Sequence, residues 1–413
     1  MSRLSLPVIA LLMSAAGLVG GQPPPADRPG GLPAAPPAAL GLDPVQLGEA
    51  TGLLREYVAD GRIAGAVAAV ARRGSVGYLE AVGVQDLAAA APMTPHTLFR
   101  IYSMAKPVTA VAVMMLHEEG RFRLDDPVAK YLPEFAAVQV VDAPGGAPRP
   151  PARPITVEDL LLHTSGLSHR TSDLYRTLGV RDRTDTLPEF VRKIALAPLM
   201  EDPHTRFRYS EATTVLGRLV EVWSGQPFDG FLERRLFGPL GMHDTGFWVP
   251  PARRDRLATV YGPAPGGGLR PIDIEAVPFT EKPALLEGAV GLVSTVPDYL
   301  RFAQMLLDRG VLDGTRVLKA DTVARMTANG LPPAVQAARG GAMGWGLANV
   351  NVLLDPGDSG ASRGEYGWDG TAGTIFWVDP VKQTVVVLMT QSVPANPDSL
   401  RQRFKALVQR AIT

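Results

Sequence analysis

Thr97-Leu98-Phe99-Arg100-Ile101-Tyr102-Ser103-Met104-Ala105-Lys106-Pro107-Val108-Thr109 is the stretch on which the reading of this chain turns. Val108, Ala112, Met115 and Leu116 recur at helical spacing on one face. Gly120 supplies a stop beyond the last periodic residue, and Pro107 is tolerated only in a first turn. The spacing therefore predicts a helix that starts near Ser103. At i and i+3, Ser103 and Lys106 share a face with their Cβ atoms about 5–6 Å apart. A serine hydroxyl is a weak nucleophile until a neighbour takes its proton. A lysine held partly neutral by burial or by other cations can do so. The amino end of the helix also favours an oxyanion forming at Ser103. Ser103 is the only serine in the chain with lysine three places on.

Working outward, Gly65 to Ala71 and Ser75 to Val84 read as strands joined by the turn Arg73-Gly74. Asp43 to Ala59 reads as an amphipathic helix with Leu47, Leu54 and Val58 apolar. At the far end, Thr384 to Thr390 is a buried strand by its β-branched content, after the turn Asp379-Pro380-Val381-Lys382-Gln383. Pro397 to Ile412 closes as a helix. Strands near both termini predict one sheet built from the two chain ends. The glycine-dense run Glu365-Tyr366-Gly367-Trp368-Asp369-Gly370-Thr371-Ala372-Gly373 leads into Thr374 to Val378. Glycines beside a strand allow close approach of a ligand, so Trp368 is expected to wall a cleft.

Between the two ends, Leu187 to Leu240 is helical in pattern. Its clearest helix, Glu211 to Trp223, is stopped by Gly225. Tyr209 stands at the loop-to-helix junction, from which a side chain can enter a cleft. Thr156, with Asp159 three residues on, reads as a capped short helix.

The chain has 413 residues, 46% of them apolar and 20% charged, with a formal net charge of zero. That length allows one large or two intimate domains. Without a basic run, the charge pattern argues against nucleic-acid binding as the main function. There is no cysteine, hence no thiol chemistry. Residues 1–21 read as a signal peptide, with Arg3 ahead of an apolar run. Export to the periplasm or medium is expected, with no stable membrane anchor after removal of the signal. Residues 22–41, rich in Pro, Ala and Gly, read as a disordered linker.

Other chemistries compete weakly. His163 and Ser165 invite a Ser–His pair, but Ser165 lacks a nucleophile elbow, so both read as structural residues of a turn ended by Gly166. Gly360-Ala361-Ser362-Arg363-Gly364 matches the elbow spacing, yet it lies among turn residues rather than between strand and helix. His117-Glu118-Glu119 lacks the second histidine of a zinc helix. Gly266-Gly267-Gly268 reads as flexible linker.

These segments, with Leu124-Asp125-Asp126-Pro127-Val128, Leu162-His163-Thr164-Ser165-Gly166-Leu167, Pro239-Leu240-Gly241-Met242 and Gly291-Leu292-Val293-Ser294-Thr295, fall in a familiar order. The chain resembles the serine β-lactamase-like proteins, which include class C β-lactamases, D-Ala-D-Ala peptidases and family VIII carboxylesterases. The resemblance spans nearly all of residues 43–410. It implies an α/β (α+β) fold with an antiparallel sheet flanked by helices. The α/β domain would comprise residues 42–135 and 286–413, and an inserted helical domain residues 136–285. It implies Ser103 as nucleophile, Lys106 as its base and Tyr209 as partner in proton transfer. The backbone N–H groups of Ser103 and Thr371 would form an oxyanion hole. Trp368, Gly370 and Glu211 would contact the substrate, a small ester or amide, and neither metal nor organic cofactor is implied. Two departures stand out: Glu211 replaces the Asn of Tyr-x-Asn, and Trp368 replaces the Lys of Lys-Thr-Gly. The missing lysine charge points to the carboxylesterase branch and short-chain esters. A β-lactamase or D-amino-acid peptidase is the alternative; it would need another cation for the substrate carboxylate, for which Arg363 is the nearest in sequence. A non-turnover penicillin-binding or cell-envelope protein is the alternative of another class.

Overall fold

The computed structural model describes residues 31–143, 145–274 and 279–413. The expected signal peptide and residues 22–30 of the linker lie outside the described residues. We number the elements that position the site. The sheet strands are β1 (Gly65–Arg72), β2 (Ser75–Asp86), β3 (Ala91–Pro92), β4 (Met343–Gly346), β5 (Val350–Leu353), β6 (Tyr366–Asp369), β7 (Ile375–Asp379) and β8 (Thr384–Thr390). They form one sheet in the order β4-β5-β6-β7-β8-β1-β2-β3. Each neighbouring pair is antiparallel. The central pair joins the two ends of the chain, with Ala66 opposite Thr390 and Arg72 opposite Thr384.

The period-two alternation of side chains explains why β8 is apolar at nearly every position. Val385, Val387 and Met389 enter one core, while Val386 and Leu388 enter another. On β1, Val67, Ala69 and Ala71 go to the first core and Ala66, Ala68 and Val70 to the second. The second core is closed by α1 (Pro44–Ala59) and by the carboxy-terminal helix, Leu400–Ala411. The first is closed by α2 (Ala105–Glu118), which carries Lys106, and by Val296–Leu307. The small side chains of β1 leave room for helices on both faces, and burial on both sides holds this strand's register.

The helices expected after Thr156 and within Leu187 to Leu240 are present. They include α3 (Val157–Leu161), α4 (Leu187–Leu196) and α5 (Ala212–Ser224). Thr156 and Asp159 cap α3 reciprocally, as their spacing predicted. Beyond Leu240 the chain turns back to the sheet side, where Leu257 pairs with Leu98, Gly246 with Val293, and Tyr261 with Ser392.

The expectation of a disordered linker fails for its last ten residues or so. Ala35 donates its N–H to Val76 O, and Val76 donates to Pro33 O. Leu32 and Leu40 are buried. Two leucines among prolines with fixed φ give this segment apolar anchors at a low entropy cost. Among the described residues no helix is long and apolar enough to cross a membrane.

Candidate active site

The turn before α2 is built under backbone strain. Phe99 and Arg100 pair with Ser294 and Val293, and Ile101 N–H donates to Leu292 O. Tyr102 then takes a positive φ of 42°, unusual for a bulky residue and typical of sites where surroundings impose a conformation. Residues Tyr102–Met104 form a 3-10 turn, and α2 begins at Ala105. Tyr299 Oη donates to Met104 O over 2.9 Å. Every residue from Ala105 to Leu116 is buried, so the turn and the helix present Ser103 and Lys106 from a rigid base. Gly120 follows the helix in the left-handed region, as its place in the sequence predicted.

Gly370 brings the end of β6 against this turn. A Cβ there would lie 2.4 Å from Ile101 O and 2.3 Å from Thr374 Oγ1, so only glycine permits the approach. Arg401 locks the same turn. Its guanidinium donates to Asp369 Oδ2 at 2.6 Å, to Gly370 O at 2.9 Å and to Thr374 O at 3.1 Å. Thr371 N–H has no acceptor among the described residues.

The seven expected site residues converge. Ser103, Lys106, Tyr209, Glu211, Trp368, Gly370 and Thr371 line one cleft of about 470 Å³. A larger hollow of about 760 Å³ lies beside Arg73 and Asp308, so convergence of polar groups rather than size singles out this cleft. Lys106 is buried; its Nζ donates to Ala289 O at 3.0 Å and lies 4.6 Å from the centre of the Tyr209 ring. Among the described residues no carboxylate forms an ion pair with it. Trp368 Nε1 donates to Tyr209 Oη at 3.1 Å.

Glu211 is fully enclosed and accepts from Thr214 Oγ1 at 2.8 Å. Burial opposes its charge, but Arg181 and then Lys106 outweigh burial and hold its pKa below the ordinary carboxylate range. Behind it Glu287 accepts from Arg181 at 2.5 and 3.0 Å, and burial raises its pKa despite that pairing.

The cleft residues not found from the sequence include His169, Arg170 and Arg401. Arg170 Nη2 donates to Thr371 Oγ1 at 3.3 Å. His169 and Arg170 follow the Leu162-to-Leu167 segment, which was the available signal; Arg401 gave none. Arg363 is not the cation of this cleft. It is exposed on the turn leading into β6, since the residues that reach the cleft are those at the strand's other end. His163 and Ser165 do not form a pair: His163 Nδ1 lies 3.1 Å from Ser210 Oγ, and Ser165 Oγ accepts from Leu167 N–H. Ser362 sits in a turn, with its N–H on Asp379 Oδ2. Among the described residues no group of three His, Asp or Glu side chains could hold a metal ion.

Comparison with known proteins places this geometry. Esterase EstB of Burkholderia gladioli is 33% identical over 384 residues, covering 86% of this chain and 93% of that protein. Penicillin-binding protein 4 of Amycolatopsis lactamdurans is 36% identical over 296 residues, covering 70% of this chain and 72% of that protein. The solved structure of EstCE1, a hydrolase with promiscuous acyltransferase activity, superposes with a TM-score of 0.76 at 28% identity, over 89% of this chain and 98% of that one. The Beta-lactamase family matches residues 50–410, and the chain belongs to it. It is a serine hydrolase of the β-lactamase fold.

Proposed function

We propose that this protein is a carboxylesterase acting on short-chain esters through an acyl-enzyme on Ser103. One observation carries the reading: Trp368 stands where a lysine would bind a substrate carboxylate, and its indole N–H is aimed at Tyr209 Oη. The cleft wall at that point is apolar and is tied into the proton-transfer pair, which suits an uncharged acyl or alcohol group.

In the mechanism, Ser103 Oγ attacks the ester carbonyl while its proton passes to the Tyr209–Lys106 pair. Lys106 Nζ, near the face of the Tyr209 ring, favours negative charge on the phenol, and Trp368 Nε1 supplies a hydrogen bond to it. The tetrahedral oxyanion takes the N–H groups of Ser103 and Thr371, each such donor contributing ~10²–10³ in rate. The same pair returns the proton to the departing alcohol. Water, deprotonated by that pair, then releases the acid and restores Ser103. Export through the leader formed by residues 1–21 belongs to this reading, and fractionation of cells tests it.

The test is hydrolysis of p-nitrophenyl butyrate beside a chromogenic cephalosporin, with wild type and Ser103→Ala in parallel. Ester turnover that disappears in the variant, with little cephalosporin cleavage, is the expected result. An unaffected Ser103→Ala would refute the assignment of the nucleophile and redirect attention to Ser362. A second reading, a β-lactamase or D-amino-acid peptidase, draws support from Arg170 and Arg401 on the cleft. It takes first place if cephalosporin turnover equals that of the ester. Stoichiometric acylation without turnover in mass spectra would support a penicillin-binding protein instead.

A further inference from the structure

Tyr209 reaches the cleft from an irregular segment, and a single residue grips that segment at three successive positions. Residues 163–168 run beside residues 200–211. Arg208 N–H donates to His163 O at 2.8 Å, His204 N–H to Thr164 O at 2.8 Å, Met200 N–H to Gly166 O at 2.8 Å, and Glu211 N–H to Ser168 O at 3.2 Å. Within this ladder His163 has a positive φ of 53° and no exposed surface. Its Nδ1 accepts from Ser210 N–H at 3.3 Å and lies 3.1 Å from Ser210 Oγ. Its ring centre is 4.9 Å from that of Tyr209, tilted by 45°. Arg208 is thus held by the His163 carbonyl, Ser210 by the imidazole nitrogen and Tyr209 by the imidazole ring.

This arrangement is costly. Burial pushes the imidazole pKa well below its ordinary value, and the nearby Lys106 charge pushes the same way, so the ring is neutral. With Nδ1 accepting, the proton sits on Nε2, which is buried and makes no hydrogen bond of normal geometry among the described residues; the Asn349 side chain is a polar group near the ring. A buried donor without a well-formed hydrogen bond and a left-handed non-glycine backbone are both destabilising. Such costs persist where the surrounding structure enforces a functional geometry.

We propose that His163 is a positioning residue for the hydrolysis: it fixes where the phenol oxygen of Tyr209 stands relative to Ser103 and Lys106. The inference rests on the reading of Tyr209 as the proton carrier. The other groups facing the Tyr209 ring are Lys106, His169, Trp345 and Trp368. Of these, Trp368 alone has a hydrogen bond to its oxygen among the described residues, and none binds the backbone on both sides of it. His163 supplies that backbone hold.

The experiment is a double-mutant cycle on the full chain with p-nitrophenyl butyrate, each rate being divided by the number of active sites titrated in a burst. His163→Asn keeps an acceptor and tolerates positive φ but loses the ring; His163→Phe keeps a ring and loses the acceptor. Misplacement by about 1 Å can cost on the order of 10²-fold, so both variants should acylate ~10–10²-fold more slowly with KM little changed. In a Tyr209→Phe background His163→Asn should cost nothing further, because there is no phenol oxygen left to place. Wild-type acylation by either variant, or full additivity with Tyr209→Phe, overturns the proposal. A fully active Tyr209→Phe enzyme removes the reading of Tyr209 itself, which separates the two failures. If the His163 variants do not fold, ¹⁵N NMR of the wild type decides. The ring assigned to His163 must stay neutral with its proton on Nε2 through the range in which free imidazole titrates; an ordinary titration of that ring refutes it.

Discussion

Trp368 and Tyr209 are joined by a hydrogen bond of 3.1 Å from the indole nitrogen to the phenol oxygen, across the cleft that also holds Ser103 and Lys106. The two residues are 159 positions apart. One is the last residue but one of a sheet strand and the other precedes a helix of the central region, so the bond bridges two walls of the cleft.

Replacing Trp368 with Phe keeps a flat ring and removes the donor. A hydrogen bond to a group carrying charge contributes about 1.5–3 kcal/mol. The expected loss is therefore ~10–10²-fold in kcat on p-nitrophenyl butyrate, with KM less affected. Steady-state kinetics check this; an unchanged kcat would mean that the bond plays no part in turnover.

Glu211 sets the charge of the cleft floor. Its carboxylate faces Lys106, Arg181 and Arg170, which hold it ionised. Glu211→Asn removes one negative charge and leaves those cations less compensated. The variant should gain on carboxylate-bearing substrates relative to neutral esters, by severalfold in the ratio of kcat/KM values. Competition between p-nitrophenyl butyrate and the chromogenic cephalosporin measures that ratio. A ratio that does not move would show that Glu211 has no electrostatic hold on specificity.

Arg401 carries three hydrogen bonds to the turn after β6. Arg401→Met removes them all and leaves the carbonyls of Gly370 and Thr374 without this donor. The N–H of Thr371 should then lose its fixed direction, and kcat should fall by ~10-fold or more, since loss of an oxyanion donor alone costs ~10²–10³. Arg401→Lys, which can satisfy fewer of these acceptors, should fall between. Equal rates for all three proteins would exclude this role.

Asp298 gives a pH test of stability away from the chemistry. It accepts from Asp244 N–H and Thr245 Oγ1, and burial raises its pKa to about 6 from 3.8. A raised carboxylate pKa means that the native state prefers the protonated form. The stabilising contribution is complete below pH 3.8 and is lost as pH rises through about 6. Asp298→Asn mimics the neutral acid. It should unfold at higher denaturant than wild type at neutral pH, by up to ~3 kcal/mol, and the gap should vanish in acid. A gap independent of pH would contradict the assignment.

Much of the fold was legible locally. The strand expected at Thr384 to Thr390 has those bounds in the structure, because two-sided burial writes itself as an unbroken β-branched run. The strand from Gly65 runs one residue longer than expected and the helix ahead of it begins one residue later, at Pro44. The linker was misread because composition reports average solvation and misses two leucines that find a surface to cover. Arg363 was misjudged because nearness in sequence to Trp368 is not nearness in space: a strand separates its two ends.

The sequence alone determined which chemical groups are present at helical or strand spacing. It placed a serine three residues before a lysine, glycines beside a strand where a ligand can come close, and a tryptophan in place of a cation. Such features depend on a few consecutive residues whose dihedral periodicities are fixed by local sterics. Only the tertiary structure decided that His163 grips the Tyr209 segment, that Arg401 braces the turn beside Ser103, and that Lys106 lies 4.6 Å from the Tyr209 ring. Those relationships are set by the register of β1 against β8 and by helices packed on both faces of the sheet. They bring together residues that no short-range periodicity relates.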